Sequence, residues 1–520
     1  MRYSFRTALL LLVAPIVSAD AQCKCAPGDA CWPSDIEWAQ LNTTVSGRLI
    51  KTVAPAASCY PQEPSYNAEQ CALIREEWFK DAFHSGNPVS LHSPSATNNS
   101  CNPLYPNGTS VSGDVLARAK GCSLGLYPPY VVNATGVEHV QAAVKFARDR
   151  NLRLNIKNTG HSVRSAAYGS LSIWTHYIRK FETHEEWTPQ CPANSSDCGK
   201  VVPQLAVTIG AGERDDELFQ AAAAEGLAVV GGTNPDVGFM GWATGGGHGY
   251  MTSEYGQGAD NILEALMVIP SGDVIIANAY LNEDVFWAIR GGGGGSYGVI
   301  VEATIAAYPM PQASYWMLTM SNKDRNCTSR WYKLMAEMHG FLPAMKEGGF
   351  QGYYAVRGPS SASSDDDLSF IGLWFVYDKP NGTAQALAAP LLKLVEAAGD
   401  VASFQSTFVD APTWIEVYNS FPKDLGSPGG GGASTTSRLL SADALTNDTE
   451  RLAHVLEVLG PRPGGPVGGV SNPSLSGTMT LGSVAVDNAL NPVWRDAVVH
   501  LTTSVSWDDT LNYAAVEAAI

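Results

Sequence analysis

The sequence has no apolar run long enough to cross a membrane. Residues 8–17 are apolar but too few, since a bilayer span needs roughly 20 such residues, and no later stretch is both long and uncharged. Basic charge is scarce: 33 Lys and Arg stand against 50 Asp and Glu, for a formal net charge of −17. A phosphate-backbone partner needs a basic stripe, so neither nucleic acid nor an anionic membrane is an expected partner. His-Glu-x-x-His and a Walker-type Gly-Lys-Ser/Thr are both missing, which leaves metalloprotease and P-loop chemistry without a starting residue. Zinc is no better served, because Cys23-x-Cys25 has no matching second pair and no His at ligand spacing, and no metal is expected.

The chain start and the cysteines point to one compartment. Residues 1–21 carry Arg2 and Arg6, then the apolar run, then Ala19 and Ala21, the order of a secretory signal peptide. Seven of the ten cysteines (Cys23, Cys25, Cys31, Cys59, Cys71, Cys101 and Cys122) fall in the first quarter of the chain, and Cys191 with Cys198 brackets a short polar loop. Disulfides are their expected use in a secreted chain, with Cys191 and Cys198 the natural local pair and the other connectivity open. Eight N-x-S/T sequons, at Asn42, Asn98, Asn107, Asn133, Asn194, Asn326, Asn381 and Asn447, predict a glycosylated surface. The expectation is a secreted, soluble monomer without a membrane span.

With 45% hydrophobic residues over 520 positions the chain can bury large cores, and at roughly 150 residues per domain it has room for about three units. Residues 22–124 are irregular and rich in Pro, Ser, Asn and Cys, with one helical stretch at residues 68–83. They read as a disulfide-stapled extension that wraps the protein without chemistry of its own. Beyond it, Val137, Val140, Val144 and Ala147 recur at helical spacing, and Leu152, Leu154 and Ile156 alternate as in a strand. That strand ends in the loop Asn158-Thr159-Gly160-His161-Ser162, and residues 171–175 give the next.

A helix at 214–224 closes on Gly226, followed by a short strand at 227–230. Strands at 262–269 and 274–279 flank a turn, and Asn282 is placed to cap a helix at 283–290. After Tyr308 come strands at 353–356 and 370–377 and helices at 384–398 and 448–459, a second α+β domain over 310–520. The glycine-rich stretch at 426–433 reads as a loop within it.

Glycines cluster around Gly160, in Gly245-Gly246-Gly247-His248-Gly249, and in residues 291–295 with Gly298. Bare amides can cradle a pyrophosphate or pack on a flat ring, whereas sharp turns explain one cluster more easily than three. Gly293-x-Gly295-x-x-Gly298 matches a dinucleotide fingerprint and Gly294-x-Ser296-x-Gly298 a nucleophile elbow. Both motifs need a strand before and a helix after; here a helix precedes and the strand-like Val299, Val301, Ala303 and Ile305 follow.

Several motifs in order do resemble a family. They are Asn158 to Ser162; Ser172-Ile173-Trp174-Thr175-His176; Gly232-Thr233-Asn234-Pro235-x-Val237-Gly238; Gly245 to Gly249; Ala259-Asp260-Asn261; and Phe286-Trp287-Ala288-x-Arg290-Gly291. They are similar to the berberine bridge enzyme-like branch of FAD-linked oxidases, with the vanillyl alcohol oxidase type of fold. The likeness runs over residues 127–309 and continues weakly to Asn491-Pro492-x-Trp494-Arg495. It implies a two-part FAD-binding domain at 125–309 and a substrate domain at 310–520.

The resemblance further implies that Asn158, Thr159, Gly160, His161 and Ser162 wrap the FAD pyrophosphate and that His161 is joined to the flavin 8α-methyl; the plain alternative is a polar loop histidine. Thr233, Gly238, Gly245, Gly246, Gly247, His248 and Ile300 are implied cofactor contacts, although His248 could simply pack beneath the flavin. Many relatives attach the flavin a second time through a cysteine at a position that falls here on Asn234, so one link is expected.

The implied reaction takes hydride from a small organic substrate to the flavin and then to O2, giving H2O2. Tyr353, Tyr354 and Tyr377 are candidates for the base, against the usual packing role of strand tyrosines. The motif at 172–176 and Asn234 look most like fungal members acting on specialised metabolites, with carbohydrate oxidases next. Relatives usually continue past this chain's last residue with an Asn-rich Tyr motif, which leaves as alternatives a truncated enzyme, a divergent one, or a non-catalytic glycoprotein of the same fold.

Overall fold

A computed structural model describes residues 23–105, 110–111, 121–192, 200–293, 295–324, 328–360, 367–423, 432–507, 511, 514 and 516–517. The expected signal peptide, Cys198, residues 426–431 of the glycine-rich loop, and the sequons at Asn107, Asn194 and Asn326 lie outside the described residues.

The first layer is a four-stranded sheet of β1 (Leu49–Lys51), β2 (Tyr130–Asn133), β3 (Arg153–Lys157) and β4 (Ser170–Trp174), in the order β1-β2-β4-β3. β2, β4 and β3 are parallel, so β2 and β3 need a crossover. The helix Val137–Asp149 supplies it and buries Val140, Val144 and Ala147 of the predicted stripe together with Ala143, while Val137 is half-buried. β1 comes from the cysteine-rich segment and closes the sheet antiparallel to β2. From the same segment, Trp38 stacks on Tyr130 with ring centroids 3.9 Å apart.

Next follow β5 (Phe181–Trp187), β6 (Gln204–Gly210), β7 (Leu227–Ala228), β8 (Ile262–Val268), β9 (Val274–Asn278), β10 (Val299–Ala306) and β11 (Tyr308–Pro309). β7 pairs with β11, and the others form an antiparallel sheet ordered β5-β6-β10-β8-β9. The third sheet holds β12 (Ala313–Asn322), β13 (Gln351–Arg357), β14 (Ser369–Tyr377), β15 (Ala402–Ala411), β16 (Gly432–Leu440), β17 (Ser474–Thr478) and β18 (Val499–Trp507). It is antiparallel in the order β15-β12-β14-β13-β17-β18-β16.

Alternation along β12 puts Trp316, Leu318 and Met320 in a core with the helices Thr328–His339, Thr383–Ala397 and Thr449–Leu459. Phe375 and Tyr377 share a different core, with Phe239, Met251, Trp414 and Tyr418, that joins the second and third sheets. The class is α+β, as expected.

Local expectations are corrected at two places. The helix expected over 68–83 is two, Ala68–Glu77 and Asp81–Ser85, because His84 Nε2 donates to the Trp78 carbonyl at 2.7 Å and turns the chain there. Asn282 precedes the helix Glu283–Ile289 in a left-handed conformation, and its side chain donates to the Ile276 carbonyl instead of capping. Disulfides join Cys25–Cys31, Cys59–Cys71 and Cys101–Cys122, and Cys191 is also disulfide-bonded, whereas Cys23, expected in a bridge, is exposed with a free thiol. Asn98, Asn381 and Asn447 are exposed, while Asn42 and Asn133 are half-buried. Among the described residues no helix is long and apolar enough to cross a membrane.

Candidate functional site

A cleft of about 1140 Å³ runs between the first two layers, just above the roughly 300–1,000 Å³ usual for ligand pockets. The loop after β3 forms one wall, with Asn158, Thr159, Gly160, His161 and Ser162 all on it. The expected Gly238, Gly245 and Ile300 line it too. Gly160 has φ +98°, and a Cβ there would lie 2.8 Å from the Ser90 carbonyl oxygen, so only glycine fits between that strand of chain and the cleft. Gly293 and Gly295, at φ +104° and +74°, also line the cleft.

His161 sits on a buried ionic cluster. Its Nε2 lies 3.4 Å from Asp236 Oδ2, and His92 Nε2 lies 3.4 Å from the same oxygen. The two imidazoles stack with centroids 3.6 Å apart and planes 18° from parallel. His92 Nδ1 donates to Asp81 Oδ1 at 2.9 Å, and Asn234 Nδ2 donates to Asp81 Oδ2 at 2.9 Å. Asp236 Oδ1 accepts from Ser85 Oγ at 2.9 Å and Arg214 Nη1 at 2.7 Å. Burial opposes charge on Asp236, but His161, His92 and Arg214 hold its carboxyl well below the usual range. For His161 burial prevails over Asp236 and lowers its pKa, favouring a neutral ring.

Lys157, the last residue of β3, is buried and donates to the carbonyls of His84 at 3.1 Å, Ser85 at 3.5 Å and Thr159 at 3.1 Å. It therefore ties the cysteine-rich segment to the loop that carries His161. Burial brings its pKa down to about 7.

The remaining expected residues are distributed differently. Thr233, Gly246, Gly247 and His248 do not line the cleft. A Cβ on Gly249 would lie 1.6 Å from the Gly231 carbonyl oxygen, and one on Gly247 would lie 3.0 Å from the Trp242 ring. This cluster thus answers largely to protein packing. His248 accepts from Trp242 Nε1 through its carbonyl at 2.9 Å, and its Nδ1 lies 3.4 Å from the Tyr353 hydroxyl. Tyr353 reaches Thr480 Oγ1 at 3.3 Å. Tyr354 pairs instead with His339 Nε2 at 2.5 Å, and the Tyr377 hydroxyl donates to the Tyr250 carbonyl at 3.1 Å, so both have packing roles.

The residues fit FAD. In a chain of net charge −17, the cleft lining contains Lys24, Arg148, Arg153 and Arg164 and not one carboxylate, the charge pattern a pyrophosphate needs. Asn158 Oδ1 is buried without a protein partner on that wall. Sequence reasoning missed Asp81, Ser85, His92, Lys157 and Arg214, and it left position 236 blank inside the quoted 232–238 motif. The one available signal was a lone carboxylate in that otherwise neutral motif.

Residues 128–278 match the sequence family described as "FAD binding domain". The FAD-linked oxidoreductase ZEB1 of Gibberella zeae is 30% identical over 95% of this chain and 80% of its own length. The FAD-linked oxidoreductase apf9 of Gibberella fujikuroi is 34% identical over 84% of this chain and 74% of its own length. Among solved structures, the flavoprotein MtVAO713 of Myceliophthora thermophila C1, of vanillyl alcohol oxidase type, is similar at a TM-score of 0.83 and 27% identity, over 96% of this chain and 86% of that one. A cation-lined cleft that carries the Asn158 to Ser162 loop, in a chain with these relatives, places this protein in the FAD-linked oxidoreductase family.

Proposed function

We propose that this oxidoreductase is a secreted oxidase whose FAD is held by a single covalent bond to His161. The observation that carries the attachment is the orientation of His161: Nε2 faces Asp236 at 3.4 Å, which leaves Nδ1 as the free nitrogen of a ring on the cleft wall. Attachment at Nδ1 would hold the cofactor to the loop after β3, with Asp236 behind the ring at Nε2. Asn234, an amide where a thiolate would be needed, supports one link only.

When bound, FAD would supply the redox chemistry, taking hydride from substrate and passing electrons to O2. This chain's part is to hold and orient. Tyr353 and His248 are the pair we assign to orienting the substrate. Burial lowers the His248 pKa to about 4 and pushes the Tyr353 hydroxyl above its ordinary range, so both are neutral near pH 7. His248 Nδ1 can accept from the Tyr353 hydroxyl, whose oxygen can in turn accept from a substrate hydroxyl. Trp494, stacked on His248 at 6.5 Å, makes this corner aromatic and suits a phenolic, polyketide or alkaloid-type metabolite. Disulfides and exposed sequons support secretion.

Acid precipitation of the purified protein tests the assignment. Flavin should stay in the pellet for the wild type and pass to the supernatant for His161→Ala. Pelleted flavin in that variant would move the anchor to another residue, and a colourless protein would end the oxidase reading in favour of a non-catalytic glycoprotein.

A further inference from the structure

We propose that Asp81 and His92, both from the cysteine-rich segment, form a proton-holding clamp that keeps His161 neutral with its Nδ1 turned to the cofactor cleft. The clamp rests on the histidyl attachment proposed above and adds positioning residues that do not line the cleft. His92 has a carboxylate at each ring nitrogen, Asp81 Oδ1 at 2.9 Å from Nδ1 and Asp236 Oδ2 at 3.4 Å from Nε2. Two flanking carboxylates favour the form of the imidazole that carries both ring protons. A second imidazolium stacked 3.6 Å away would repel it, so the proton that His92 keeps is one that His161 does not take.

The electrostatics agree with the geometry. Burial opposes charge on His92, but Asp236 and Asp81 together raise its pKa, while burial lowers that of His161. Other charged or titratable groups facing the pair are Arg214, 2.7 Å from Asp236, Lys157 beneath the loop, and His84, whose ring centroid is 5.3 Å from that of His92. Arg214 balances one of the two carboxylates, and burial lowers the His84 pKa to about 4, so His84 adds no charge near neutral pH. The cluster suits a proton better than a metal ion, because two rings stacked face to face cannot both direct in-plane lone pairs at one ion.

Asn234 completes the clamp. Its Nδ2 holds Asp81 at 2.9 Å, and its Oδ1 accepts from the Asp236 amide at 2.9 Å, so one side chain fixes the spacing of the two acidic residues. The residue that stands in place of a second flavin link thus steadies the groups behind the first.

The test follows attachment over time in protein made under riboflavin limitation and loaded with FAD, from about pH 5 to 9, as the fraction of bound flavin that precipitates with acid. Asp81→Asn and His92→Gln should bind FAD but attach it about tenfold more slowly at the acid end, with the half-maximal rate moved up by about one pH unit, because His161 then competes for the proton. His92→Phe keeps a stacked ring without the proton and should behave like His92→Gln. If these variants fail to bind FAD, Asn234→Ala carries the test at a half-buried position and should shift the profile in the same direction by less. Wild-type rates and pH profiles in the variants would overturn the clamp while leaving the attachment standing. A wild type with no acid-precipitable flavin would overturn both.

Discussion

Lys157 shows how a single residue couples parts of the chain that its sequence keeps apart. It is buried, with three carbonyl oxygens around its Nζ and Trp174 5.5 Å away. Those carbonyls belong both to the wrapping segment and to the His161 loop. Removing the donor leaves them desolvated and unpaired, which costs far more than a surface hydrogen bond. Lys157→Met is therefore expected to lower unfolding free energy by about 3 kcal/mol in urea titration. It should also reduce the FAD retained on gel filtration, because the His161 loop loses its tether. Wild-type stability and flavin content together would contradict this role.

At the scale of elements, the glycine clusters divide into two physical kinds. In the 245–249 turn the chain runs against Gly231 and Trp242, whereas a Cβ on Gly293 would make only an ordinary contact, 3.8 Å to Ser296 Oγ, on a left-handed backbone at the cleft. Gly249→Ala should thus lower the melting temperature sharply whether or not FAD is present, since two backbones must separate. Gly293→Ala should cost only about 1 kcal/mol of stability, from the backbone conformation, and weaken FAD binding. Calorimetry with and without FAD distinguishes the two, and equal losses in both variants would show the division to be wrong. The glycine fingerprint at 293–298 fails for the reason the sequence suggested, as the helix Glu283–Ile289 precedes it and β10 follows.

For the molecule as a whole, the last described elements lock back onto the flavin-binding layers. Arg495 meets both oxygens of Asp260 at 2.5 and 2.6 Å, Asn488 Nδ2 donates to Asp260 Oδ1 at 2.7 Å, and Leu490 packs against Gly246 and Gly291. This folding buries titratable groups in every layer. Burial holds His84, His176 and His339 each at about 4, below an ordinary 6.5. Between those values the unfolded chain binds protons that the folded one refuses, so these groups make stability fall as pH drops from 6.5 to about 4. Asp215, Glu213 and His92, all raised, act in the opposite sense, but they are fewer than the six histidines whose pKa is lowered. Melting temperatures should decline over that window; a flat profile would mean the histidines are charged in the fold.

The sequence by itself determined the class of elements, the order of the motifs and the loop that carries His161, because helix and strand periodicity and glycine spacing are local properties of the chain. Those local signals also erred locally, at residues 78–80, where a histidine side chain takes the place of a helical bond. Only the tertiary structure brought Asp81 and His92 to His161 and showed that both imidazoles share the carboxylate at position 236. It also separated Tyr353, beside His248, from Tyr354, on the other face of the same strand. Contacts between residues dozens of positions apart follow from how layers pack and which buried charges must be paired, and neither leaves a periodic trace in the sequence.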